Sequence, residues 1–401
     1  MKKYPDFVKI NLILLLVLPV LTFSQRKTSE LLLEKKSPFV NQIENLEILY
    51  HSNAPLIFLE KVSANAENTM QSGKKDVDYF SIENVKLKQL KDEKPVFFKQ
   101  NINCGEKFVT LLLERVNVTN ADFHILTDKG HKIFPENDHA LFYRGIIKGS
   151  EKSIVTLSIF KDEFHYLISS EFGNYEIHMT EGGQAEGYFT KVNPTHYDQT
   201  DDLNATLVPM LKGKNASGLR SGNCIEIFIE CDYHTHLALG NNLETTNVWI
   251  NTLFNNVSAI YALHQVPIVL RQTFIWTSPD PYTSATNPGQ LRDLFVGHRQ
   301  NNYNGRIAVL LSNRELGGGI ANGIGGYCNT YPTYPGPQCV GTNLSINQNE
   351  NINFSNNVFL LAHEIGHVMG LRHTHACVWE NEMIQIDDCG NIWAEQNGLS
   401  I

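Results

Sequence analysis

The chain has 401 residues, of which 42% are hydrophobic, and it is long enough for two domains that each bury a core. Its formal net charge of −9 and sequence pI of about 5.9 do not provide the concentrated basic surface that phosphate backbones require. We therefore expect no nucleic-acid partner.

The N-terminus predicts a secretory signal peptide at residues 1–24. Lysines near the start precede an apolar run from Ile10 to Phe23, and Thr22 and Ser24 supply small residues at a spacing that suits a signal peptidase. The run is short for a membrane span, and no later segment reaches the ~20 apolar residues that a span needs. We expect a secreted, extracellular protein with no membrane span after signal removal; the alternative is a retained anchor.

The chain contains seven cysteines. In an exported protein, cysteines favour disulfide bonds over reduced thiols. Cys328 with Cys339, and Cys377 with Cys389, are close enough in sequence to close short loops, although order alone does not fix connectivity. The odd number leaves at least one thiol without a partner.

The first part of the chain predicts a β-rich domain. Residues 26–93 carry no motif that we can place, but between Val96 and Thr180 apolar residues alternate with polar ones. Alternation over several short runs separated by turns is typical of antiparallel strands. The alternating positions are Val155, Leu157, Ile159, Phe164, Tyr166, Ile168, Tyr175, Ile177 and Met179. The domain covers residues 25–199 and is β-rich from about residue 96.

Residues 200–222 have the composition of a linker, being polar and rich in glycine, serine and asparagine. Lys212, Lys214 and Arg220 offer exposed processing points within it.

Beyond the linker, strands alternate with helices, which predicts an α/β layer arrangement. Asn287 and Pro288 supply an N-cap and a first-turn proline for one of these helices. In chain order the predicted elements are a strand at Cys224–Glu230, a helix at Thr245–His264, a strand at Val266–Trp276, a helix from Pro288, a strand at Arg306–Leu311, a glycine-rich loop at Gly317–Cys328 running into an edge strand, and a helix at Asn356–Leu371 with Ser355 as its N-cap.

The last helix carries the stretch AHEIGHVMGLRHTH. His363 and His367 lie one turn apart on the face opposite the apolar stripe, so two imidazole nitrogens can reach one ion. Zinc binds imidazole nitrogen at about 2.0–2.1 Å and suits such a pair. Glu364 lies beside them, where a general base could contact water without ligating the metal.

Gly370 determines whether a third histidine can join. A glycine free to adopt positive φ can end the helix and turn the chain so that His373 supplies a third nitrogen. Three protein ligands leave a fourth position for water, which is the pattern of catalytic zinc. The spacing of His375 does not fit the ligand set. The alternative is a surface helix that carries histidines without a metal. In that case the spacing of the histidines and Gly370 would be a coincidence.

The motif HEIGHVMGLRH resembles the HExxHxxGxxH signature of metzincin zinc endopeptidases. More narrowly, the chain is similar to secreted bacterial members of the reprolysin (adamalysin) family, and Phe142–Ile177 resembles a reprolysin-type propeptide. This resemblance implies an α/β (α+β) catalytic domain at residues 223–401, with a mixed sheet and a zinc-binding helix, preceded by a β-rich propeptide.

The resemblance also implies an activity. We expect a secreted zymogen of a zinc endopeptidase that hydrolyses protein or peptide substrates, with one Zn²⁺ per chain on His363, His367 and His373 and with Glu364 as general base. Two alternatives remain open: an inactive zinc-stabilised binding module, and a zinc peptidase of another HExxH clan whose third ligand is a downstream glutamate. Calcium binding and oligomeric state are left open.

Two features depart from the family pattern. Metzincins place a methionine-containing turn after the third histidine, but here the remaining methionine, Met383, has an acidic context. We therefore expect the catalytic domain to be truncated before that turn. Cys104, the only cysteine in the presumed propeptide, is a candidate inhibitory thiol because zinc stabilises thiolate; the alternative is a buried or bridged cysteine.

The glycine-rich segment is our candidate for substrate binding. An edge strand exposes a row of backbone groups to which an extended peptide can add. We expect this edge strand around Ile320–Tyr327, and the candidate residues on it are Ile320, Gly325, Gly326 and Tyr327. A plain flexible loop is the alternative.

Overall fold

The structure, a computed structural model, describes residues 36–51, 53–62, 77–135, 140–180, 183–190, 224–346 and 354–373. The predicted signal peptide, the predicted linker and everything after His373, including His375, Cys377, Met383 and Cys389, lie outside the described residues.

The N-terminal part is built on a nine-stranded sheet in the order β1-β2-β11-β10-β9-β8-β7-β4-β3, with strands numbered along the whole chain. All its neighbouring strands are antiparallel. The segments predicted from alternation are β8, β9 and β10. The strands are β1 Leu59–Val62, β2 Asp78–Ile82, β3 Phe97–Cys104, β4 Lys107–Val116, β7 Leu141–Ile147, β8 Ile154–Ile159, β9 Phe164–Ser170, β10 Gly173–Met179 and β11 Ala185–Thr190.

Among the described residues of the region where the sequence suggested no motif, two helices accompany this sheet. Helix α1 spans Pro38–Leu49 and helix α2 spans Asn84–Glu93. Ser37 caps α1 by accepting a hydrogen bond from the Val40 amide at 3.2 Å. The core of this part combines aliphatic and aromatic side chains, with Phe80, Tyr166 and Tyr175 among its buried members.

The C-terminal part contains a mixed seven-stranded sheet in the order β15-β16-β14-β12-β13-β5-β6. Its neighbours are parallel except for the β15–β16 and β5–β6 pairs. The strands are β5 Thr119–Thr127, β6 Lys132–Ile133, β12 Ile225–Cys231, β13 Ile268–Ile275, β14 Ile307–Leu311, β15 Gly319–Ala321 and β16 Gln338–Gly341. The helices are α3 Tyr233–Ala238, α4 Leu243–Leu263, α5 Pro288–Arg299 and α6 Phe354–Met369.

The two parts share structure that the sequence did not predict. Strands β5 and β6 come from the N-terminal part, yet β5 pairs in parallel with β13 of the second sheet. Alternation within β5 identifies a strand but not its partner, because pairing is a long-range contact. The second sheet therefore draws strands from both sides of the predicted linker.

Helix α4 lies between the sheets and starts where Asn242 accepts hydrogen bonds from the Glu244 and Thr245 amides. The predicted cap of α5 is also present, since Asn287 Oδ1 accepts from the Gln290 amide at 2.9 Å. Within the described part of the chain, no helix is both long enough and apolar enough to cross a membrane.

The expected disulfide framework is not found among the described cysteines. Cys328 and Cys339 are both free thiols, so the loop that they could have closed is not formed. The reason is position: Cys339 is buried in β16 within the core, whereas Cys328 lies exposed in a turn.

Candidate metal centre

Helix α6 presents one apolar face and one face bearing histidines. Val358, Leu361 and Ile365 are buried in the core shared with α4. The Tyr261 hydroxyl of α4 donates a hydrogen bond to the Ala362 carbonyl at 2.8 Å, and both groups are buried. Packing on one side therefore fixes the rotation of the helix and directs the other side to the candidate site.

Three histidine side chains converge beside this helix. The Nε2 atoms of His363 and His367 are 2.8 Å apart, and those of His363 and His373 are 2.9 Å apart. The Nε2 atoms of His367 and His373 are 3.1 Å apart. Each pair is closer than twice a Zn–N bond of about 2.0–2.1 Å, so one ion can touch all three atoms.

The tautomer of His367 is set by its surroundings. Its Nδ1 lies 2.7 Å from the Leu371 carbonyl oxygen. A carbonyl only accepts, so Nδ1 carries the hydrogen and, in the neutral ring, Nε2 keeps its lone pair. That lone pair points to the centre of the triad, which is the orientation that a metal ligand needs.

The bend expected at Gly370 is present. Gly370 has φ +106°, its amide donates to the His367 carbonyl at 2.9 Å, and the Leu371 amide donates to the Gly366 carbonyl at 2.9 Å. These two bonds form a Schellman motif, which ends a helix at a residue of left-handed conformation. The reversal brings His373 back to the two helical histidines.

The segment after β15 braces the same helix end. The Gly325 amide donates to the His367 carbonyl at 2.9 Å, and the Tyr327 amide donates to the Val368 carbonyl at 3.1 Å. Gly326 lies against the backbone of Gly336. Two of the candidate substrate-binding residues, Gly325 and Tyr327, are thus hydrogen-bonded to the end of α6, whereas Gly326 packs on Gly336.

The edge strand itself is shorter than expected. β15 ends at Ala321, so the prediction of an edge strand that continues to Tyr327 is wrong. The amides of 325 and 327 hydrogen-bond to the carbonyls of α6, and this directs the chain away from the sheet. Of the four candidate residues, only Ile320 lies on the strand.

The carboxylate of Glu364 is buried against β15. A Cβ built on Gly319 would come within 2.7 Å of Glu364 Oε1 and 2.6 Å of its Cγ. The glycine thus leaves room for the carboxylate between helix and strand. Sequence reasoning missed Gly319, although it lies in the glycine-rich run at 317–319 that the sequence displays.

The sequence suggested that Ser355 is the N-cap of this helix, and this prediction is wrong. α6 begins at Phe354, so Ser355 lies inside its first turn. The side chain that accepts from this turn is Glu176 of β10, which receives hydrogen bonds from the Phe354 amide at 3.2 Å and the Ser355 amide at 2.8 Å. A cap supplied by a distant strand leaves no local sequence signal.

Cys104, the candidate inhibitory thiol, does not lie with the histidines. It is fully buried in the core of the N-terminal sheet, together with Leu111 and Tyr175. Burial raises the pKa of its thiol to about 12, and the Asp78 carboxylate acts in the same direction. The structure therefore corresponds to the alternative of a buried cysteine.

A three-histidine cluster with a buried carboxylate on the same helix defines the class of metallopeptidases that bind their metal through an HExxH motif. Residues 221–395 match the family profile Reprolysin_5, described as metallo-peptidase family M12. This part of the chain is therefore similar to reprolysin-like metallopeptidases.

The solved structures that match this chain include the following two. The crystal structure of metalloproteinase-II from Bacteroides fragilis has 12% sequence identity and a TM-score of 0.41, covering 77% of this chain and 92% of that one. The structure of a chaperone–substrate complex has 10% identity and a TM-score of 0.22, covering 35% of this chain and 94% of that one.

Proposed function

We propose that this protein is a secreted, zinc-dependent endopeptidase. In this proposal His363, His367 and His373 hold one zinc ion, and Glu364 is the general base. The observation that carries the proposal is the approach of three Nε2 atoms to within 3.1 Å of one another.

The donor set fits zinc. With Nε2 of His367 fixed as an acceptor in the neutral ring, hydrogen bonds alone cannot satisfy all three close nitrogen pairs at once. A cation shared by three lone pairs satisfies every contact together. When bound, zinc supplies a Lewis acid that polarises a peptide carbonyl and acidifies water. The family match supports this metal, since such peptidases generally use it.

Glu364 supplies the proton-handling group in this proposal. Glu364 is only 3% exposed, and its carboxylate is held between α6 and Gly319. It would accept a proton from the attacking water and deliver that proton to the amine of the leaving peptide. Its confinement supports the role, because a general base must keep one position through both transfers.

Strand β15 provides a place for an extended substrate. The Thr342 amide donates to the Gly318 carbonyl, and the Asn322 amide donates to the Gln338 carbonyl. With the register of β15 and β16, residues 318, 320 and 322 therefore direct their backbone groups to β16. In an antiparallel ladder the alternate residues, Gly319 and Ala321, direct their backbone groups away from β16. A peptide added there would lie beside the strand that contacts Glu364.

The N-terminal part and the export signal complete the proposal. The family resemblance of Phe142–Ile177 supports a propeptide, and the apolar run at Ile10–Phe23 supports secretion. The linker at 200–222 is the proposed processing region.

Zinc content and cleavage of a peptide library, measured on the same purified chain, test this function. We expect about one zinc per chain, cleavage of internal peptide bonds, and loss of cleavage with a chelator that is reversed by added zinc. Metal without cleavage would favour the inactive binding module. Cleavage that a chelator does not affect would contradict the proposal.

A further inference from the structure

Glu176 joins the N-terminal sheet to helix α6. Its side chain is fully buried. Oε1 accepts from the Ser355 amide and the Ser355 hydroxyl, each at 2.8 Å, and Oε2 accepts from the Phe354 amide at 3.2 Å. A residue far away in sequence therefore caps the helix that carries the candidate site.

This contact suits a buried carboxylate. The first amides of a helix have no partner within it, and the helix dipole favours negative charge at that end. On the other side of the carboxylate, His165 Nε2 lies 3.5 Å from Oε2, and the His165 ring packs on Phe354 with centroids 4.4 Å apart. Separation of the two parts would remove the carboxylate from the helix and its amides together.

Strand β5 makes a second connection. It runs in parallel with β13, with Thr119 opposite Leu270 and Thr127 opposite Ile275. Side chains hold both ends of this pairing. Arg271 Nη1 donates to Asn120 Oδ1 at 2.7 Å, and the Thr277 amide donates to Asp128 Oδ1 at 2.8 Å.

The third connection is made by α4. Its apolar residues, such as Leu253 and Val257, belong to a core that also includes Phe142, Phe160 and Leu167 of the N-terminal part. On the side facing β8, Asn255 Nδ2 donates to Ser158 Oγ at 3.0 Å and Asn256 Oδ1 accepts from Thr156 Oγ1 at 2.5 Å. Polar pairing of this kind is compatible with an interface between two separate chains.

We propose that the N-terminal part, residues 36–190, is a non-covalent partner of the peptidase domain that stays bound after the chain is cut within residues 200–222. Glu176 ties it to α6, and Thr190 Oγ1 adds a second contact, 2.6 Å from the Ser355 hydroxyl. Strand addition and a buried carboxylate that accepts three hydrogen bonds hold the two fragments without the covalent connection. The inference concerns association alone, so it stands or fails independently of the catalytic proposal.

The test uses the whole chain with a recognition sequence for a site-specific protease inserted within residues 200–222. After cutting, gel filtration at micromolar concentration followed by mass spectrometry reports which fragments travel together. We expect both fragments in one peak. Elution of the wild-type fragments in separate peaks would overturn the proposal.

The role of Glu176 is tested with Glu176→Gln, against Glu171→Gln as the matched control. Glu171 is an exposed carboxylate of the same part of the chain that accepts from Ser150 Oγ. We expect Glu176→Gln to speed dissociation of the cut fragments at least about tenfold over the control. Equal dissociation rates would overturn the role given to Glu176.

If Glu176→Gln does not fold, Ser355→Ala examines the same contact from the helix, because it removes the hydroxyl that donates to Oε1. It should speed dissociation severalfold. If both variants fold, the double mutant should raise the dissociation rate by less than the product of the two single increases. The reason is that both substitutions remove the same interaction. A Ser355→Ala complex that dissociates like wild type would contradict the cap.

Discussion

Gly319 of β15 lies directly against Glu364 of α6: a Cβ on the glycine would approach the carboxylate Oε1 to 2.7 Å. The absence of a side chain on the strand thus determines where the proposed general base sits. Strand, carboxylate and histidines form one unit, in which the strand would hold the substrate and the helix would supply the chemistry.

Gly319→Ala should lower activity without removing the metal. The added methyl group must displace Glu364, because the three heavy atoms nearest to it all belong to that residue and none to the histidines. We expect kcat/KM on a peptide substrate to fall at least about tenfold, with zinc content unchanged. Gly341→Ala is the control, because its Cβ would meet only ordinary contacts at 3.7 Å and beyond. Equal activity of the two variants would contradict the relationship.

Glu364→Gln should retain zinc and lose turnover. The amide has nearly the shape of the carboxylate but cannot accept the proton. A positioned general base contributes about 10²–10⁴-fold, so kcat should fall by at least that factor. Metal analysis and peptide cleavage on the same preparation check this. A variant that cleaves at the wild-type rate would exclude Glu364 as the base.

Gly370→Ala should weaken the bend that brings His373 to the site. Gly370 has φ +106°, and the nearest atom to an added Cβ, Gly325 Cα, is 3.7 Å away, so the cost is conformational. We expect a loss of about 1–2 kcal/mol in the free energy of unfolding and weaker zinc binding. Calorimetry and metal titration measure the two effects.

Gly297→Ala is the control for that prediction. Gly297 lies within α5, and a Cβ there would meet nothing within 4 Å. Alanine in a helix interior gains about 0.5–1 kcal/mol over glycine, so this variant should be at least as stable as wild type. If Gly370→Ala proved as stable as Gly297→Ala, the bend would not need glycine.

Cys104 should react slowly in the folded protein. Burial raises the pKa of its thiol to about 12. At pH 8 only about one thiol in ten thousand is then thiolate, the form that iodoacetamide attacks. Native alkylation should label the exposed Cys328 and spare Cys104, and denaturant should expose both. Equal native rates would contradict its burial.

The same pKa gives a pH dependence for stability. The unfolded thiol ionises near its ordinary value of 9.0 and the folded one near 12. The stability contributed by the neutral buried thiol is therefore present below pH 9 and is lost as the pH rises towards 12. Cys104→Ala should flatten this alkaline slope in denaturant titrations. An unchanged slope would argue against the raised pKa.

The arrangement of α6 could be predicted from sequence because each signal was local. Periodicity set the histidine face, and Gly370 set the bend. Strands β8, β9 and β10 followed from alternation, and the start of helix α5 followed from its cap, Asn287. Each of these depends on residues within one or two turns of chain.

Long-range contacts could not be predicted in this way. The pairing of β5 with β13 and the cap that Glu176 places on α6 join residues from opposite sides of the linker. Spacing in sequence also overestimated the chance of a Cys328–Cys339 bridge, because burial in β16 separates the two thiols. Local patterns identify elements, whereas partners depend on the tertiary fold.

Zinc binding by His373→Ala tests the central proposal most directly. It distinguishes a site of three histidine ligands from a site in which a downstream glutamate is the third ligand. We expect wild type to bind one zinc per chain and the variant to bind it at least about a hundredfold more weakly in a chelator competition titration. Tight zinc binding by His373→Ala, equal to that of wild type, would contradict the account.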